Sequence, residues 1–194
     1  MIKVAGTKGN RRTLYTKKVI KESIIDLLQE KEIHQITVTD ICNKADINRG
    51  TFYTHYKDAY DLLQSMEDEL FDQILKYALE THIETHLNTL LINVLDLIAQ
   101  NKQLCKILFC KQRGSRVLDR ILYIAHKLEI DTLIGDLVLD DVYMDYLIKY
   151  SIGGILSVIQ VWLENDLKES PSDLVNFLTN VMANKKYLQN KIGP

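Results

Sequence analysis

Residues 37–58, T-V-T-D-I-C-N-K-A-D-I-N-R-G-T-F-Y-T-H-Y-K-D, narrow what this chain can fold into more than any other stretch. Thr37 stands three residues ahead of Asp40, the spacing of a capping box in which a hydroxyl takes an N-terminal amide and a carboxylate returns the bond. A short helix over about 38 to 45 is expected to follow. Asp46 and Ile47 then make a tight turn, Asn48 is a favourable cap, and a second short helix is expected over about 49 to 56. Val38, Ile41, Ala45, Ile47, Phe52 and Tyr56 fall where two such helices close on each other and on a preceding helix.

The longer run I-T-V-T-D-I-C-N-K-A-D-I-N-R-G-T-F-Y-T-H-Y-K-D, with D-L-L shortly after it, resembles the helix-turn-helix of the TetR family of bacterial transcriptional regulators. The match covers roughly the first quarter to third of the chain. The residues suit that use: Arg49 carries donors that fit guanine O6 and N7, while Thr51 or Thr54 fits a thymine methyl or a base acceptor. Gly50 lets the start of the helix approach DNA closely. Asn48 caps that helix, and Tyr53, His55 and Lys57, with Thr39 on the preceding helix, are candidates for phosphate contacts. For the positions of Tyr53 and His55 the resemblance implies this role. The chain departs from the family at Ala59, where many members carry a lysine, so one helix-end phosphate contact is expected to be missing, with Lys57 or Arg11 and Arg12 compensating.

Charge is distributed to match. Residues 1–57 hold 11 Lys and Arg against 6 Asp and Glu, a balance of +5, and the remainder holds 13 against 20, a balance of −7, which sum to the net −2. Attraction to a polyanion is therefore local to the amino-terminal end. The first residues lack the apolar run of a signal peptide, the longest apolar run (152–161, broken by Gln160) is too short to span a bilayer, and three cysteines without paired spacing fit a reducing compartment. A cytoplasmic protein with no membrane partner is expected.

With 8 Gly, 2 Pro and apolar residues at helical spacing nearly throughout, the fold is expected to be all-α. Residues 1–57 would form a three-helix DNA-binding head with a flexible basic arm over 1–12, and residues 58–194 a helical ligand-binding and dimerisation body. A helix over about 14 to 30 carries the stripe Ile20, Ile24, Leu27 and Leu28. Asp58 caps a long connecting helix, with Asp61 where the helix dipole favours negative charge. A central helix over 85–101, shorter ones over about 103–112 and 116–129, and an irregular stretch over 130–140 follow.

Two amphipathic helices close the chain. The first carries Gly153 and Gly154 amid Ile155, Val158 and Trp162; the second, opened by Ser170 and Pro171, carries Leu174, Phe177, Leu178 and Val181. Adjacent glycines cost about 1 kcal/mol each in a helix interior, so close helix-to-helix approach is the expected reason for them. These helices are expected to make half of an intermolecular four-helix bundle, and the resemblance implies the same, since the family dimerises through its last two helices. The pattern G-G-I-L-S-V-I-Q-V-W-L-E-N-D followed by S-P also looks like a subgroup that includes activators of dihydroxyacetone-kinase operons.

Other chemistry has little support in the residues. No G-x-S-x-G, phosphate loop or H-E-x-x-H occurs, so no enzyme and no cofactor is expected. His82 and His86 have metal-pair spacing yet read as a solvated pair, so no metal is expected, and Cys42, Cys105 and Cys110 read as packing residues. Met66, Tyr77, Phe109, Tyr123 and His126 are candidates to line an effector cavity. The expected function is a homodimeric repressor on a pseudo-palindromic double-stranded operator, released by a small molecule. An alternative is a co-activator or adaptor of the same fold that answers to a protein partner. Operator, effector, regulated genes and the sign of regulation are not written in the residues.

Overall fold

The structure, a computed structural model, describes residues 8–80, 83–111, 116–127 and 140–183. Among these every regular element is helical: α1 (Lys8–Glu30), a 3-10 turn (Ile33–Gln35), α2 (Val38–Ala45), α3 (Arg49–Tyr53), α4 (Ala59–Glu80), α5 (Ile83–Gln100), α6 (Lys102–Lys106) running on as a π-helical turn (Ile107–Lys111), α7 (Arg116–Lys127), α8 (Asp141–Glu164) and α9 (Pro171–Ala183). The chain divides into two compact units, Met1–Leu70 and Phe71–Pro194, with the division inside α4.

In the first unit α1 packs on α2 and α2 on α3, and the core holds Ile20, Ile24 and Leu28 of α1, Ile41 and Cys42 of α2, Phe52 of α3 and the stripe Ala59, Leu62, Leu63, Met66 and Leu70 of α4. Each large side chain so buried contributes about 1.5–3 kcal/mol. One ion pair and one weaker, longer-range attraction set the direction of α1 along α2. Asp26 pairs with Lys44 near the end of α2 at 3.2 Å, while Lys31, just past the end of α1, acts on Asp40 in the first turn of α2. The two helices are therefore antiparallel.

α1 begins earlier than its apolar stripe. Residues 8–12, expected in a flexible arm, are helical, and residues 1–7 lie outside the described part. Residues 11–19 include no buried side chain, so about two and a half helical turns form without a fully buried residue. Periodicity starts only at Ile20, which is why the sequence places the helix start too late. α3 is shorter than expected: helical geometry stops at Tyr53, and the chain reaches Tyr56 through a turn in which the His55 and Tyr56 amides both donate to the Phe52 carbonyl.

One buried charge breaks the apolar stripe of α4. Glu67 is 5% exposed, and its Oε1 has no hydrogen-bond partner among the described residues. A buried acceptor left unmade costs about 1–3 kcal/mol, so Glu67→Met is expected to raise stability by ~1–2 kcal/mol, read as a higher urea midpoint at unchanged slope. A lower midpoint would mean that the carboxylate makes a stabilising contact.

The second unit packs α9 on α5, and α6 and α7 on α8. Its core holds Phe71, Ile74, Leu95, Ile98, Leu104, Leu108, Ile159, Trp162, Leu163 and Val175. Arg120 of α7 lies 4.6 Å over the Phe71 ring, a cation–π contact. Cys105 is buried and its thiol is pushed up to about 12 by burial, and burial also raises Cys110, so neither offers a thiolate.

The turn between α8 and α9 is unusual. Asp166 and Leu167 are consecutive non-glycine residues with φ of 61° and 63°. Each costs about 1–2 kcal/mol relative to right-handed geometry. They are held from both sides: the Leu167 amide donates to the Trp162 carbonyl at 2.9 Å, the Trp162 indole N–H donates to the Glu169 carbonyl at 2.9 Å, and Asp166 Oδ1 takes Lys106 Nζ at 2.6 Å and Lys102 Nζ at 3.0 Å.

α8 is longer than the apolar run it contains. The apolar run over 152–161 is short, but the helix containing it, Val142–Glu164, is long and apolar enough by length and composition to cross a membrane, and little of it is buried. Trp162 and Leu163 anchor its carboxyl end in the protein's own core.

Candidate nucleic-acid interface

The reading element is built by its caps. Thr37 Oγ1 accepts the Asp40 amide at 3.1 Å and the Asp40 carboxylate accepts the Thr37 amide at 2.9 Å and the Thr37 hydroxyl at 2.7 Å. The Thr37 amide, then the hydroxyl, holds the Asp40 carboxyl below its ordinary value. α2 ends at Asp46 with φ 51° and ψ 49°, and its carbonyl at Cys42 takes the Asp46 and Ile47 amides. Aspartate tolerates this left-handed position better than most residues, so the turn closes without glycine.

Asn48 then starts α3, its Oδ1 accepting the Thr51 amide at 2.7 Å and the Thr51 hydroxyl at 3.0 Å. A Cβ added at Gly50 would stand 3.2 Å from that same oxygen. The absence of a side chain therefore protects the cap, a reason for glycine that precedes any approach to DNA. Thr54 turns its hydroxyl back to the Thr51 carbonyl at 2.6 Å. Both threonine hydroxyls are thus engaged locally as donors, leaving methyls and lone pairs for a partner. Asp58 accepts the Asp61 amide at 2.8 Å, and Asp61 accepts the Lys57 amide at 2.9 Å, which fixes the chain from α3 into α4.

On this frame Asn48, Arg49, Gly50, Tyr53, Thr54 and Lys57 are exposed, and Thr39, Thr51 and His55 are half-buried. Tyr53 stands edge-on to the buried Phe52 ring at 5.7 Å and 86°, so its ring is braced while 57% of the residue faces solvent. The surface offers a guanidinium, a phenol, an imidazole and an ammonium around a helix start. That set can take base edges and phosphates. Ala59 is 4% exposed, so the position at which the family resemblance implies a lysine is buried here.

Sequence reasoning missed two polar atoms. Tyr56 OH and Glu67 Oε1 are both buried without partners among the described residues, and burial, with Glu69 and Asp61 adding to it, pushes the Tyr56 phenol up to about 12. Burial of Tyr56 was legible from its spacing to Phe52; that its hydroxyl finds no partner was not.

The candidate cavity residues are placed as follows. Met66 is buried in the first unit; in the second, Tyr77 and Phe109 are half-buried, Tyr123 is 56% exposed, and the side chain of His126 lies outside the described part. His82 and the side chain of His86 also lie outside it. For the proposed dimer helices, Trp162, Leu174 and Leu178 are packed inside the protomer, Ile155 and Val158 are half-buried, and Phe177 and Val181 are exposed with Val161 beside them in character. A Cβ at Gly153 or Gly154 would meet nothing within 4 Å among the described residues, so no close approach among them explains those glycines.

Residues 85–184 match the family model of a TetR-type transcriptional regulator C-terminal region, which is more than half of the chain. The chain belongs to the TetR family. A helix-turn-helix regulator of Bacillus subtilis (strain 168), YxbF, is 40% identical over 58 residues, 29% of this chain, and the match spans 15% of that protein's length. The dhaKLM operon transcriptional activator DhaS of Lactococcus lactis subsp. lactis (strain IL1403) is 22% identical over 179 residues, covering 87% of this chain and 91% of DhaS. A solved TetR regulator of Streptococcus agalactiae 2603V has the same fold, with a TM-score of 0.65, 24% identity, and coverage of 89% of this chain and 96% of its own. The all-helical architecture and the role of a TetR transcriptional regulator are thereby established.

Proposed function

We propose that this TetR regulator binds a pseudo-palindromic double-stranded operator as a homodimer, from the cytoplasm and without catalysis or cofactor, through a head formed by residues 1–57. The observation that carries the reading is the capped α3, with Arg49 and Tyr53 exposed at its surface. Arg49 reads a base edge, Tyr53, His55, Lys57 and Thr39 hold phosphates, and Asn48, Gly50, Thr51 and Thr54 set the approach of the helix start. Two heads on a two-fold axis demand half-sites about one turn, ~34 Å, apart or a multiple of it. α4 is the connector by which the body, residues 58–194, changes the spacing of the heads. A small molecule held within the second unit by Tyr77, Phe109, Tyr123 and His126 would release a repressor by favouring the spacing that does not fit.

Footprinting on DNA upstream of the gene and its neighbours tests this. The wild-type protein is expected to protect a two-fold site, and Arg49→Ala to lose about 10- to 100-fold in affinity there, the worth of one bidentate base contact. An unchanged footprint in the variant would remove Arg49 from the interface.

A second reading is favoured by the alignment with DhaS along most of both chains, since DhaS is an activator. In that case the body answers to a protein partner in place of a small ligand. Deleting the gene separates the two: a target transcript that rises marks a repressor, and one that falls marks an activator.

A further inference from the structure

We infer that Glu67 anchors a further effector position, one that takes an organic cation with an apolar body into the first unit beside α4. None of the four residues proposed to hold an effector in the second unit takes part in it. Glu67 is 5% exposed, its Oε1 is shut off from solvent, and no hydrogen bond reaches that oxygen among the described residues. Other acids of α4 have partners: Asp61 accepts the Lys57 amide, Glu69 pairs with Lys21 of α1, and Glu80 pairs with Lys76.

A carboxylate taken out of water needs a donor, and an unpaired one is among the costliest groups a fold can bury. Its neighbours one turn away on the same face, Leu63 and Leu70, are buried aliphatic side chains, so an apolar residue of the same length would complete the stripe. The fold therefore gains nothing from this acid. A buried, bare acceptor on an otherwise apolar face marks a place for a group that the chain does not itself supply.

The chemistry of that group is narrow. A divalent cation needs several ligands, and the described residues bring no three His, Cys, Asp or Glu side chains together to hold one. A hydroxyl or a water gives the oxygen a bond but leaves its charge uncompensated in an aliphatic surround. An ammonium or guanidinium supplies both, through a charge-assisted hydrogen bond. The rest of the ligand meets Leu63 and Leu70, so it is alkyl or aryl. An amphipathic amine fits; a sugar, a carboxylic acid or a free metal ion does not.

Position gives such a ligand its use. Glu67 lies one turn before the point, between Leu70 and Phe71, at which the chain divides into its two units. An occupant there holds the helix that both units share, and its effect on DNA is set by its differential affinity for the two states of the regulator. Only this last step rests on the proposed reading; the binding itself does not.

Thermal unfolding of the full chain is the test, with propylammonium and benzylammonium chlorides compared against equal sodium chloride, and propanol, benzyl alcohol and benzoate as uncharged and anionic counterparts. At about ten times its Kd, a ligand of the native state raises the midpoint of a chain this size by roughly 3–6 °C. That rise is expected from the ammonium probes alone. It should vanish in Glu67→Gln, which keeps the shape of the side chain, and persist in Asp72→Asn, which removes the same charge from an exposed position of α4. Circular dichroism matching wild type excludes misfolding of either variant. No rise with either ammonium, an equal rise with the alcohols, or a rise that survives Glu67→Gln overturns the inference. Footprinting keeps the two readings apart: an operator still protected while the cation effect fails overturns this site alone, and an operator never protected overturns the DNA reading while the cation effect stays measurable.

Discussion

Aspartate at Phe177 and Val181 together is expected to yield a folded monomer whose operator affinity falls at least 100-fold. The two side chains are 54% and 50% exposed on α9, so the protomer loses little by their change. In a two-fold interface each substitution acts twice. Removing a large apolar contact costs about 1.5–3 kcal/mol, and burying a carboxylate without a partner costs more. Two heads bound independently forfeit the gain of tethering, so DNA binding falls with the dimer. Sedimentation would show the monomer, and circular dichroism the intact fold. A dimer that survives both charges would move the interface elsewhere.

The glycines of α8 sharpen that result. With nothing within 4 Å of an added Cβ, Gly154→Leu in an isolated protomer removes a helix-breaking residue and should stabilise by roughly 1 kcal/mol. If a partner helix seats on the glycines, the same leucine blocks it. Stability rising while the dimer weakens is a combination that an unrelated surface position does not give. The same result would account for an apolar α8 that is so little buried.

The sequence was most informative where one local rule decides the outcome. The capping box at Thr37 and Asp40, the Asn48 cap, the Asp58 cap and Pro171 at the start of α9 all stand where expected, because each depends on bonds within a few residues. It was least informative where the deciding contact is distant. Trp162 was placed on the dimer face by its spacing to Gly154 and Val158, but its indole turns to Glu169 across the α8–α9 turn, and helical periodicity carries no record of that turn. Glu67 sits at a core position of α4, where its spacing with Leu63 and Leu70 reads as a stripe only if a glutamate is counted as apolar. The start of α1 was set too late for the complementary reason, since no side chain of residues 11–19 is buried and no apolar period is imposed there.

Trp162→Ala should cost about 3–5 kcal/mol of stability, the range for a large aromatic removed from a core, and Trp162→Phe only about 1 kcal/mol, for the hydrogen bond to Glu169. Trp162 is 2% exposed, and it bounds a turn whose Asp166 and Leu167 both hold left-handed geometry. Without the indole that strain loses one of its side-chain restraints, leaving Lys102 and Lys106 on Asp166 as the other beside the backbone bond from Leu167 to Trp162. Acid should then open the second restraint. Hydrogen bonds from Lys106 and then Lys102 hold the Asp166 carboxyl at about 2, against an ordinary 3.8. Since the folded value is the lower one, the contribution is complete above about pH 4 and is lost as pH falls toward about 2. Asp166→Asn is therefore expected to flatten the acid limb of the urea midpoint against pH, and to do so more in Trp162→Phe than in wild type, because the two restraints share one turn. Additive effects of the two substitutions would show that the indole and the lysines act on separate structures.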